Sequence, residues 1–139
     1  MNAETIFEHV QVILRQIRDF PIILDKLSLE QRRELDGVVR KLGKDVESAA
    51  DEQALKKAAD AFLITIETTP AFINLFMPGV SKERIKALQT QRKLPLRHPI
   101  QDKEFTRWKG LIENSVREYP YPKKEDEKAS DEEQDKNDN

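Results

Sequence analysis

The chain has 139 residues, of which 37% are hydrophobic and 36% charged, with a formal net charge of −2 and no cysteine. That length supports one domain, and the charged share stands well above the ~25% of an average protein, so one modest core carries a heavily charged exterior. The absence of cysteine excludes disulfides, thiolate metal sites, iron–sulfur clusters and thiol nucleophiles together.

In chain order, residues 3 to 18 are expected to form a first helix. Ile6, Val10, Ile13, Leu14 and Ile17 line one side of it, and Asn2 is placed to cap it. The opening MNAETIFEHV lacks the basic-then-apolar order of a secretory leader. Asp19-Phe20-Pro21 interrupts the pattern, because proline disfavours helix in the residue before it. Ile22, Ile23, Leu24 and Leu27 continue as a short apolar turn or helix. Ser28-Leu29-Glu30-Gln31 matches a capping box and opens a second long helix to about Ala49, with Leu35, Val38, Val39, Leu42 and Val46 inward. Gly37 and Gly43 lie inside it at about 1 kcal/mol each relative to Ala, and close packing against a neighbouring helix would account for both.

The stretch Leu55 to Gly79 holds the densest run of large apolar side chains, including Phe62, Phe72 and Phe76. Leu55, Ala58, Ala59, Phe62, Leu63 and Ile66 recur at helical steps and exclude a strand alternation. Asp51 is the expected cap, and Asp60 and Glu67 are expected on the outer face. These two acids also interrupt the best apolar run, so nothing approaches the roughly 20 residues of a membrane span. Thr69-Pro70 restarts the chain as a short apolar helix, Ala71 to Met77, stopped by Pro78-Gly79. Ser81 caps a fifth segment whose apolar side is thin, with Ile85 and Leu88. Leu94 to Pro99 reads as a stiff extended connector, since Pro95 and Pro99 both disfavour helix before them. The last helix begins at Asp102 and carries Phe105, Trp108, Ile112, Val116 and Tyr119 at steps of three and four. From Lys123 onward no aromatic or large aliphatic residue occurs, and such a segment cannot repay the entropy of ordering.

The expected fold is therefore all-α. It is a single irregular, orthogonal bundle of five or six helices over residues 1–119, with a disordered acidic tail over 120–139. The frequent prolines favour this over a long up-and-down bundle.

Few residues offer chemistry. Gly37…Gly43-Lys44 has five residues between its glycines, no Ser or Thr after the lysine and no preceding strand, so it is not a phosphate-binding loop. His9 and His98 are the two imidazoles, and neither belongs to a metal-binding helical motif. No cofactor, metal or small-molecule substrate is indicated, and catalytic residues are not assigned.

Charge is distributed unevenly. Residues 1–81 carry ten Lys/Arg against thirteen Asp/Glu, residues 82–109 nine against three, and residues 120–139 four against eight. The basic segment contributes Lys82, Arg84, Lys86, Arg92, Lys93, Arg97, His98, Lys103, Arg107 and Lys109 as candidates for meeting an anionic partner. If its two helices are neighbours, their charges merge into one patch. Trp108 lies between Arg107 and Lys109, a pattern that could stack bases, although its place in the apolar stripe argues for the core. The second candidate surface is apolar: Phe72, Ile73, Phe76 and Met77 crowd more than one side of a short helix.

Two functional readings follow. The first is a non-enzymatic protein–protein interaction module, an adaptor or regulatory subunit, with another protein or a second copy as partner. The second is nucleic-acid binding through 82–109, modulated by the acidic tail. A cytoplasmic location, with no membrane partner, is the corresponding expectation.

Overall fold

The computed structural model describes residues 3–94 and 100–121. The elements are α1 (Ala3–Asp19), a 3-10 turn (Pro21–Lys26), α2 (Leu29–Ser48), α3 (Glu52–Thr68), α4 (Pro70–Phe76), α5 (Lys82–Lys93) and α6 (Asp102–Arg117), and no strand occurs among the described residues. The all-α bundle expected from the sequence is what forms. Among the described residues no helix is long and apolar enough to cross a membrane. The expected cap Asn2, the connector residues 95–99 with Arg97 and His98, and the acidic tail from 122 lie outside the described residues.

Local signals set the helix boundaries. Ser28 Oγ accepts from the Gln31 amide while the Gln31 side chain accepts from the Ser28 amide, so the capping box is complete. Asp51 accepts from Ala54 N and Ser81 from Arg84 N, as their positions predict. Thr69 stands at the N-cap position of α4 but makes no side-chain cap bond. Its hydroxyl donates back to Thr65 O at 2.9 Å instead of capping α4, and Pro70 at the first helical position supplies the restart. Gly79 turns the chain with φ +81, a conformation glycine adopts without a steric penalty.

Helix α3 is the hub, packing against α1, α2, α4 and α5, while α6 packs on α1 and α2. Leu55, Ala59, Phe62, Leu63 and Ile66 are buried on α3 and meet Ile6, Phe7, Val10, Leu14 and Ile17 of α1 and Leu35, Val39, Leu42 and Val46 of α2 in one core. Trp108 belongs to that core, tilted against Phe7 at 6.0 Å between ring centroids. The two α2 glycines separate cleanly. A Cβ on Gly43 would meet Val116 Cγ1 at 2.8 Å, so this glycine permits the close approach of α6, whereas a Cβ on Gly37 would meet nothing within 4 Å.

Candidate functional site

The most concentrated polar chemistry in the interior lies between α3 and α5. Asp60 and Glu67 are one heptad apart and therefore share a face of α3. That face points at α5, not outward as expected. Glu67 is 4% exposed and Arg92 of α5 is 2% exposed. Arg92 Nη2 donates to Glu67 Oε1 at 2.5 Å, Nη1 donates to Oε2 at 2.8 Å, and Nε donates to Asp60 Oδ1 at 2.6 Å. Gln89 adds a bond to Glu67 Oε1 at 3.2 Å, and Lys56 Nζ donates to Arg92 O at 2.7 Å, covering the end of α5. Burial works against the Arg92 charge, but the hydrogen bonds it donates to Glu67 and Asp60 outweigh it and hold the guanidinium pKa above its ordinary value. Arg92 is thus withdrawn from the basic surface assigned to it, because every face of its fork is already answered by a carboxylate.

Beside this cluster a groove of about 220 Å³ runs between α1 and α5, lined by Ile6, His9, Val12, Leu88 and Arg92 among others. His9 is half-buried on its wall. Burial lowers the imidazole pKa, the Glu67 charge offsets this in part, and the Arg92 charge lowers it further. The imidazole is therefore neutral at neutral pH. Both Glu67 oxygens are engaged by Arg92, which leaves that carboxylate poorly placed to take a proton. Among the described residues no three His, Asp or Glu side chains are grouped to hold a metal ion.

A second polar cluster ties α2 to the end of α6. Tyr119 Oη donates to buried Asp36 Oδ1 at 2.5 Å, and Arg32 bridges Asp36 Oδ1 at 3.1 Å and Pro120 O at 2.5 Å. Burial, then the bond to Asp36, raises the Tyr119 pKa, so the phenol stays a donor. This cluster ties Tyr119 and Pro120, near the end of the described residues, to α2.

The remaining basic residues are divided between two helices. Lys109 donates to Glu47 O and Ala49 O, closing the C-terminal end of α2. Arg107 pairs with Glu104 at 3.2 Å and lies 5.1 Å from the Trp108 ring centroid. Lys82, Arg84, Lys86 and Lys93 are exposed on α5, and Lys103 is exposed on α6. Helix α5 rests on α3 while α6 rests on α1 and α2, so the two basic helices are carried on different elements.

The apolar elbow is likewise absorbed. Phe72 is fully buried and Met77 nearly so, and Ile73 and Phe76 are partly buried against the same core. Phe72 and Met77 are therefore core residues, contrary to their assignment as partner contacts. Among the described residues the three most exposed large apolar side chains lie elsewhere: Phe20 is 62% exposed, Ile22 72% and Leu29 66%, all at the corner where α1 gives way to α2, while Val12, Ile64 and Leu94 are less exposed and lie apart from it. The broken helical pattern at Asp19-Phe20-Pro21 is the sequence signal for this corner: Phe20 and Leu29 belong to no helical apolar stripe, and Ile22 belongs only to the short apolar segment after Pro21.

Sequence reasoning also missed a cleft of about 510 Å³ between α2 and α6. Arg40 and Lys44 of α2 and Arg117 of α6 line it, with Glu47, Glu113 and Tyr121. Arg40 and Lys44 are one helical turn apart, a stripe hidden by the net acidity of residues 1–81.

No protein-family model, no curated protein and no solved structure matches this chain.

Proposed function

We propose that the protein is a non-enzymatic interaction module that docks a short apolar segment of another protein at the α1–α2 corner. The observation that carries this reading is the exposure of Phe20, Ile22 and Leu29 within ten residues of chain around one 3-10 turn. Their combined exposed surface is on the order of 300–400 Å², judged from the ~150–250 Å² of a large side chain. That falls short of the ~800 Å² per partner in a standard stable interface, which favours a short segment over a second copy of the chain. The interior carboxylates support the same reading, because Asp36, Asp60 and Glu67 are committed to holding helices together.

A photo-crosslinking residue placed at Ile22 in the full chain, inside its own cells, tests it. The expected result is a discrete adduct that is absent when the crosslinker sits at exposed Thr106 and is lost in Phe20→Ser/Leu29→Ser. Identical patterns at both positions, or an adduct only of the chain with itself, would remove this reading.

Nucleic-acid binding is retained as a second reading on one observation, the exposure of Lys82, Arg84, Lys86 and Lys93 along α5. It expects oligonucleotide affinity that falls steeply with salt and is lost in Lys82→Glu/Lys86→Glu. Unchanged affinity in that variant would end it.

A further inference from the structure

We propose that the α2–α6 cleft is a binding surface for acidic peptide, and that its occupant is this chain's own C-terminal segment. Three observations combine. First, the cleft's cations cluster at one end. Tyr119 meets Asp36, Gly43 faces Val116 and Lys109 reaches Glu47, so α6 runs antiparallel to α2. Arg40, Lys44 and Arg117 therefore gather near the exit of the chain, with Glu47 and Glu113 further along. Second, the chain leaves the described structure beside those cations. The Arg40 guanidinium lies over the Tyr121 ring at 4.4 Å from its centroid, and Tyr121 itself lines the cleft. Arg32 fixes Pro120 O at 2.5 Å, so the departure point is set. Third, the segment that follows is of opposite charge. Residues 125–139 carry eight Asp/Glu against two Lys, beginning with Glu125-Asp126-Glu127.

Reach is not limiting. Four to six residues beyond Tyr121 span up to roughly 13–21 Å, while Arg40 and Lys44 are separated by about 6 Å of helix rise. Tethering gives the acidic run an effective concentration of about millimolar at the cleft, so an intrinsic dissociation constant of about 1 mM keeps it half occupied, and the ion pairs it makes there are solvent-exposed and individually weak. Such pairs are screened by salt, and an acidic segment of another protein would have to displace the tethered one. The surface differs from both the apolar corner and α5, so it stands independently of the function proposed above.

The chain has no cysteine, so Ser130→Cys in the full-length protein provides one unique site for a nitroxide spin label. At low salt the label is expected to erase amide signals of Arg40 to Glu47 and of Arg117. Signals of Arg18, Arg33 and Lys82 to Lys86 should be retained. Raising salt to about 1 M, where the screening length is ~3 Å, should restore the lost signals, as should Arg40→Glu/Lys44→Glu. Unchanged core amide shifts in that variant will show that the fold is intact. Signal loss spread evenly around Tyr121 and indifferent to salt and charge reversal would overturn the proposal, and so would loss centred on α5.

Discussion

Helices α5 and α6 are both basic, yet they are attached to the bundle by opposite means. Helix α6 buries Trp108, Ile112 and Val116 against α1 and α2, with Gly43 letting the backbones come close. Helix α5 has Ile85 buried and Leu88 half-buried, and places Arg92 where another apolar residue would complete the stripe. Its place on α3 depends on a guanidinium fork closed by Asp60 and Glu67. A helix docked by apolar area is held by many small contacts, whereas one docked by a buried ion cluster is held by few, and losing one member leaves an uncompensated charge.

The largest expected effect breaks the α5 side of this contrast. Arg92→Met leaves Glu67 buried without its partner and is expected to cost about 3–5 kcal/mol. Hydrogen exchange should show protection lost first over Lys82 to Lys93 while α6 stays protected. In Ile112→Ala, expected to cost about 2–5 kcal/mol, protection should fall across α1, α2 and α6 instead. Identical exchange patterns in the two variants would erase the distinction.

A smaller effect sharpens the α6 side. Gly43→Ala forces a methyl against Val116 and is expected to destabilise by about 1–3 kcal/mol as overpacking. Gly37→Ala, on the same helix with open space around it, is expected to stabilise by up to about 1 kcal/mol through helix propensity. Chemical denaturation of the pair reads the difference directly. Equal shifts of one sign would mean that the α2–α6 seam is not tight.

The smallest effect concerns pH and returns to α5. His9, on the groove wall beside Arg92, has a folded-state pKa lowered below 6.5. The unfolded chain therefore binds more protons as pH falls, so stability is full above about 6.5 and declines as pH drops through it. The urea midpoint is expected to be lower at about pH 5.5 than at about pH 7.5, and His9→Gln should flatten that slope. A slope unchanged by the substitution would assign the dependence to other groups.

The sequence made the apolar architecture readable because helical periodicity reports burial directly. Ile6 to Ile17, Leu55 to Ile66 and Trp108 to Tyr119 all fall in the core at the spacing that predicts them. Polar placement was less legible, since a charged residue on a helix looks the same whether it meets water or a partner. Within its own helix, each of Asp60, Glu67 and Arg92 has the pattern of an outward-facing charge. The combined pattern was available: two acids a heptad apart on α3, and Ile85, Leu88 and Arg92 at steps of three and four on α5. The elbow failed for a related reason. Phe72 and Met77 crowd a short helix, and only the tertiary packing of α4 on α3 decides that they are covered.

The measurement that bears most directly on this account is a double-mutant cycle between Arg92 and Glu67, read by urea denaturation of the full chain. If α5 is held by the buried ion cluster, Arg92→Met/Glu67→Leu will be more stable than Arg92→Met alone, with a coupling of about 0.5–3 kcal/mol between the two sites. Two small single effects that simply add would contradict it, and would return Arg92 to the surface charge available to an anionic partner.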